Sequence, residues 1–223
     1  MIITVESRAR ERNNRVAADN RARLNEARVC AVNVLSAPDA GKTSLIEGTI
    51  ELLQPRVRLG VISGDTHSAF DARRLARFEL PVVRLVLQDE CHLDARLVER
   101  ALDRFDDEVG LEALDLVMIE NVDNLHCTPK VDLGEHLRVS MLSMAAGEQA
   151  PLRYPEALRV SSALIINKTD LVPFGHCDLD AMRAMALHVN PGLTVFETSC
   201  TTNQGVPEWC DWLARHIGDR RTG

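Results

Sequence analysis

Short apolar runs along this chain alternate with longer stretches whose apolar positions recur at helical spacing. Ser7–Arg28 is rich in Arg, Asn and Glu with Val16, Ala17, Leu24 and Ala27 sparsely placed, which predicts a solvated polar helix leading into a first strand. Val32 to Leu35 is that strand, and a helix begins at Lys42 with Leu45, Ile46 and Ile50 on one face. Arg56–Ser63 predicts a second strand stopping at Gly64-Asp65, Ser68–Phe78 a helix, and Pro81–Leu87 a third strand. Cys91-His92-Leu93-Asp94-Ala95 opens a helix reaching about Val109, and the continuous apolar run Leu114–Ile119 ends in Glu120-Asn121. Arg138–Met144, Ala163–Ile166 and Leu193–Thr198 read as strands, with helices over Asp178–Val189 and Val206–Ile217. Strands that lack strict alternation and are separated by helices imply a mostly parallel sheet covered on both faces. The expectation is a three-layer α/β fold in one domain, residues 29–219, preceded by a polar helical arm, residues 1–28.

The loop between the first strand and its helix carries the clearest chemistry. Ser36-Ala-Pro-Asp-Ala-Gly-Lys-Thr43 lies in the strand–loop–helix context of a phosphate-binding P-loop. Ala40, Gly41 and Ser44 would bring backbone close to phosphate, where N–H groups at a helix start point at the anion. Lys42 would neutralise the β- and γ-phosphates, and Thr43 would hold Mg²⁺. Two residues depart from the consensus. Ser36 replaces its first Gly, and Asp39 sets a carboxylate at the mouth of the anion nest, as elongation-factor P-loops also do. Of 26 basic residues only three are Lys (Lys42, Lys130 and Lys168), so Arg serves wherever a generic positive charge suffices. Two of the three lie in nucleotide motifs.

Leu114–Glu120 supplies a Walker-B-like strand whose terminal carboxylate can reach Mg²⁺. Asp65, after the second strand, is placed to orient water or Mg²⁺, and Asp71 shares that position. Asn167-Lys168-Thr169-Asp170 follows the apolar strand ALII. Asp170 can accept from guanine N1–H and its exocyclic amine together, Lys168 can lay its stem along the ring, and Asn167 can tie this loop to the phosphate side. Adenine lacks those donors and would leave the carboxylate unpaired, so the loop selects GTP and GDP over ATP. Ser199-Cys200, at a later strand end, resembles the SA motif of GTPases.

Totals narrow the setting. With 223 residues, 45% apolar content and 4% aromatic content, the chain supports one core filled by aliphatic side chains. A net charge of −7 argues against nucleic acid or anionic membrane as partner. No apolar run is long enough for a membrane span, and charge appears by Glu6, too early for a signal peptide. Six cysteines in such a chain read as reduced thiols, consistent with the cytoplasm. Cys91-His92 and Cys127 both follow strand ends and can meet on one sheet edge. Two thiolates and an imidazole suit Zn²⁺ or Ni²⁺, but three ligands do not close a structural site, so a labile site or one completed by a second copy fits. The same residues also suit small buried thiols beside a capping His. His126 is a further candidate ligand, while His176-Cys177 reads as structural.

CHLDA at 91–95, ENVDNLHCTPKVDLGE at 120–135, PLRYPEAL at 151–158, NKTDL at 167–171 and EWCDWL at 208–213 together resemble the HypB family, the nickel-insertion GTPases of hydrogenase maturation. The resemblance runs from about Val16 to Ile217; the related urease accessory GTPase, UreG, carries Cys-Pro-His at the first motif. It implies a GTPase metallochaperone that dimerises on GTP binding, with Cys91, His92 and Cys127 at a dimer-interface metal site. It also implies a HypA-like maturation partner and a hydrogenase large subunit as client. Against the family pattern, Asp39 and Asp123 replace Gly, Leu87-Gln88 replaces Thr-Gly, and Ala145–Gln149 has lost acidic residues. A non-hydrolysing metal-binding or scaffold paralogue, or a chaperone for another metalloenzyme such as urease, stays open.

Overall fold

The computed structural model describes residues 5–65, 74–87, 91–175 and 177–222. Seven strands form one sheet in the order β3-β2-β4-β1-β5-β6-β7, every neighbouring pair parallel. They are β1 (Cys30–Ser36), β2 (Leu59–Asp65), β3 (Val82–Val86), β4 (Leu116–Glu120), β5 (Leu137–Ser143), β6 (Ala163–Asn167) and β7 (Thr194–Glu197). The longer helices are α1 (Val5–Glu26), α2 (Lys42–Leu53), α3 (Ala95–Glu108), α4 (Leu179–Val189) and α5 (Val206–Thr222). The helix expected over 68–78 falls mostly outside the described residues, of which 74–76 are helical.

The strands read as continuous apolar runs because both faces are covered. Val32 and Val34 of β1, with Met118, Val139 and Ile165, meet Leu45, Ile46 and Ile50 of α2 and Trp209 and Leu213 of α5. The opposite face divides. Ala31, Ile62, Val117 and Ile119 pack on Val98, Leu102 and Phe105 of α3, whereas Leu35, Leu142 and Ile166 pack on Met182 and Ala186 of α4. Each such side chain removed from water contributes about 1.5–3 kcal/mol, so the sheet rather than helix propensity holds the architecture together. Three of the eight aromatics gather at α5, where Phe196, Trp209 and Trp212 contact one another and Trp209 Nε1 donates to Thr49 Oγ1 at 2.9 Å.

Helix α1 is polar on average yet packs on the body through Ala17, Asn20 and Leu24, all buried. Asn20 Nδ2 donates to the carbonyls of Ala95 and Leu133 at 2.8 and 3.0 Å, and Arg23 pairs with Asp103 and Asp106 of α3. Its inner side is thus docked while its outer side is solvated. The helix expected to open at Cys91 starts at Ala95 instead. Asp94 is its N-cap, accepting from Leu97 N at 2.9 Å, and Cys91-His92 form the bend before it. Among the described residues no helix is long and apolar enough to cross a membrane.

Candidate functional site

The carboxyl ends of β1, β2, β4 and β6 meet where the chain leaves the sheet. A cleft of about 280 Å³ opens there, lined by Asp39, Lys42, Thr43, Arg74, Glu120 and Asp123 among others. At its floor, Gly41 adopts φ 92°, a left-handed conformation that starts α2. A Cβ there would lie 2.6 Å from Asn167 Nδ2, so close approach as well as φ requires Gly. Asp39 also sits at positive φ, 57°, and is exposed on the cleft rim, so its carboxylate faces water.

Glu120 is buried and fully engaged. Its Oε1 accepts from Thr43 Oγ1 at 2.6 Å and lies 3.5 Å from Lys42 Nζ, while Oε2 accepts from Ser63 Oγ at 2.7 Å. Parallel register sets this up, since Glu120 of β4 sits level with Ser63 of β2 and Val34 of β1. Lys42 is buried too, and its Nζ lies 3.1 Å from Asp123 Oδ1, which also accepts from Ser36 Oγ. Burial disfavours the ammonium, but Glu120 and then Asp123 outweigh it and hold the group above its ordinary value. The backbone of Asp65 ends β2; its side chain, with Asp71 and His176, lies outside the described part.

The second loop joins the first through Asn167, whose Nδ2 donates to Ala40 O at 2.8 Å. Its Oδ1 accepts from Thr198 Oγ1 at 3.1 Å and from the N–H of Cys200 at 3.3 Å. Lys168 takes the left-handed conformation, φ 64°, and Ser199 Oγ donates to Asp170 Oδ1 at 2.6 Å. Burial pushes the Cys200 thiol up to about 11, so it stays protonated beside Asn167. One asparagine therefore fixes the phosphate loop, the NKTD loop and the Ser199-Cys200 turn relative to one another.

The loop after Glu120 leads to the thiols. Asn124 Oδ1 accepts from the N–H groups of His126 and Cys127 at 3.0 and 3.1 Å, and Thr128 Oγ1 donates to Asn124 O at 2.6 Å. The turn carries Asp123 to Lys42 and Cys127 to Cys91. The neighbouring Cys127 thiol, followed by burial, pushes the Cys91 thiol up. His92 lies in the same bend, with Nδ1 3.0 Å from the Leu93 carbonyl. Because a carbonyl only accepts, Nδ1 donates in this contact, which leaves Nε2 as the ring nitrogen available to a metal. Among the described residues no three His, Cys, Asp or Glu side chains converge as a metal ligand set within one chain. Cys91 and Cys127 are brought together; His92 does not complete a triad with them. His126 lies tilted against Tyr154, ring centroids 5.0 Å apart at 53°, and Cys177 meets Met144.

Sequence reasoning did not anticipate Ser63 or Arg74. Arg74 donates to Ser44 Oγ at 2.9 Å and to the Glu47 carboxylate, standing at the cleft wall from a segment remote in sequence. Ser63 could be found only through strand register.

The parallel sheet, the left-handed glycine before α2 and the tied NKTD loop define a P-loop nucleotide-binding protein. The family model "CobW/HypB/UreG, nucleotide-binding domain" matches residues 31–197. The chain is 42% identical over 209 residues to hydrogenase maturation factor HypB of Azotobacter vinelandii, covering 94% of this chain and 68% of that one. Against the HypB of Escherichia coli K12 it is 35% identical over 212 residues, covering 95% and 72%. The crystal structure of HypB from Archaeoglobus fulgidus superposes with a TM-score of 0.86 at 37% identity, covering 93% of this chain and 99% of that one. That of HypB from Helicobacter pylori in complex with nickel does so with 0.87 at 26%, covering 93% and 96%. The chain belongs to the HypB family of hydrogenase maturation factors.

Proposed function

We propose that this chain is a GTP-hydrolysing metallochaperone of the cytoplasm that carries nickel, or zinc, at a site built from Cys91, His92 and Cys127 of two copies. Residues 29–219 handle the nucleotide, with 1–28 as their helical arm. The observation that carries the reading is the turn from Glu120 to Cys127, which sets Asp123 against the P-loop lysine and Cys127 in the neighbourhood of Cys91. A change at the phosphates and a change at the thiols are then mechanically one event.

In this reading Asp170, steadied by Ser199, accepts from the guanine edge, and Asn167 holds the base loop at a fixed distance from the phosphates. Lys42, kept charged in a buried position, neutralises the β- and γ-phosphates. Thr43 and Glu120 present adjacent hard oxygen donors, a set that fits Mg²⁺. When bound, Mg²⁺ supplies further neutralisation of the charge on the transferring phosphoryl group. Asp65, whose backbone ends β2, is the candidate to orient the attacking water, and slow turnover is expected. The soft thiol pair and the His92 lone pair from two copies supply the ligands that one chain lacks. If GTP favours that dimer, nickel favours GTP binding by the same factor. A HypA-like partner and a hydrogenase large subunit are the expected donor and client.

The test is nickel stoichiometry under reducing, oxygen-free conditions, taken with light-scattering mass, once with GDP and once with a slowly hydrolysed GTP analogue. One nickel per two chains, on a dimer that needs the analogue, supports the proposal. Metal content and mass indifferent to the nucleotide would refute it, and absence of phosphate release above background would leave metal storage as the function.

A further inference from the structure

We propose that Asp123 occupies the seat of the terminal phosphate and sets how strongly this chain discriminates a nucleoside triphosphate from a diphosphate. The inference rests on the guanine-nucleotide reading above but concerns a residue that reading does not use. Asp123 Oδ1 lies 3.1 Å from Lys42 Nζ and accepts from Ser36 Oγ, so one carboxylate oxygen engages both the first side chain of the phosphate loop and its lysine. That is the pair of contacts a phosphoryl oxygen would make.

Its position along the cleft identifies which phosphate. The base loop is tied to the cleft floor at Ala40 through Asn167, and Arg74 with Ser44 marks the wall beyond Thr43. Asp123 instead stands three residues after Glu120, on the side where Thr43 and Glu120 would hold the metal ion between the outer phosphates. Lys42 already faces Glu120 at 3.5 Å, so with Asp123 it is one cation between two carboxylates. A diphosphate can share Lys42 while Asp123 stays in place. A triphosphate must displace Asp123 from Lys42 and Ser36 or accept a like charge beside its γ-phosphate. Asp123 is half-exposed, so it has water into which to turn when it leaves.

Displacement has a defined consequence. Asn124 binds the turn to itself through the N–H groups of His126 and Cys127, so any main-chain shift that accompanies the expulsion of Asp123 is passed on toward Cys127. The carboxylate therefore acts as an internal competitor whose removal accompanies triphosphate entry.

The experiment is equilibrium binding of GDP and of a slowly hydrolysed GTP analogue to the full chain and to its Asp123→Asn, Asp123→Gly and Asp39→Asn variants. Asp123→Asn keeps the shape and an acceptor for Ser36 while losing the charge. Both Asp123 variants are expected to shift the ratio of affinities toward the triphosphate by about tenfold or more. Asp39→Asn removes a charge from the same rim without touching Lys42, and its ratio should move much less. Equal changes for the two nucleotides, no change, or an equal shift in Asp39→Asn would overturn the assignment while leaving the guanine-nucleotide reading standing. Binding of neither nucleotide to the parent or any variant would overturn that reading, and this inference with it.

Discussion

Asn167 Nδ2 donates to the main-chain oxygen of Ala40 at 2.8 Å, across 127 positions of sequence, and lies directly over Gly41. That contact holds the phosphate-binding and base-binding halves of the cleft at one spacing. Gly41→Ala would press a methyl to 2.6 Å from Asn167 Nδ2 and impose a side chain at φ 92°. The expected result is a loss of about 2–4 kcal/mol in urea unfolding, with weakened binding of every guanine nucleotide. Asn167→Ala should spare the backbone but leave its three partners unsatisfied, costing about 1–3 kcal/mol in the same measurement.

Asp170 receives the Ser199 hydroxyl on one oxygen at 2.6 Å, leaving the other for a ligand. Asp170→Asn replaces an acceptor by a donor where guanine offers donors. GDP affinity should fall by more than about a hundredfold, and xanthosine diphosphate, whose ring presents a carbonyl in place of the amine, should bind better than GDP. Unchanged preference in competitive binding would remove Asp170 from the base site.

Cys91 and Cys127 lie close enough for Cys127 to raise the Cys91 thiol's pKa, which makes them neighbouring soft donors. Cys127→Ser and Cys91→Ala should each weaken nickel binding by more than about tenfold, since losing a ligand costs at least what losing its supporting shell does. A chelator competition under reducing conditions reads this directly. GDP affinity measured in parallel should change little, because neither thiol lines the cleft.

His136 escaped the sequence reading, being a lone imidazole in a polar stretch. Its Nδ1 accepts from the N–H of Ala31 in β1 at 3.0 Å, and Nε2 lies 3.1 Å from Asn25 Oδ1. Burial first, then Arg220 and Arg21, lower its pKa to about 4. The unfolded chain takes up the proton near 6.5, so between these values the unfolded state binds more protons and stability falls as pH drops. The loss from pH 7 to pH 4.5 should be about 1–2 kcal/mol after solvent screening of a partly exposed ring. Urea melts of His136→Gln should lack that component; an identical pH profile would exclude it.

What the sequence made legible were groups adjacent along the chain. The phosphate loop, NKTD, the Walker-B-like strand and the succession of parallel strands are local patterns with fixed chemistry. What it hid were pairings made by register and loop geometry. Ser63 reaches Glu120 because β2 and β4 pair with those two residues level, and no local pattern encodes that register. Asp123 looked like an altered loop residue until the turn after Glu120 placed it on Lys42. The polar face of α1 was plain from composition, while its docking through buried Asn20 depends on carbonyls at Ala95 and Leu133 far along the chain.

The scarcity of lysine gives the folded molecule a built-in chemical gauge. Its three ε-amines stand in three degrees of shelter: Lys42 sealed between two carboxylates, Lys168 partly covered on its left-handed turn, and Lys130 out in water. A mass-spectrometric footprint with an amine-reactive reagent therefore yields three separable rates from one sample. Lys130 serves as the constant reference and Lys168 slows as a base stacks upon it. Lys42 reacts only in those moments when its carboxylate guard swings away.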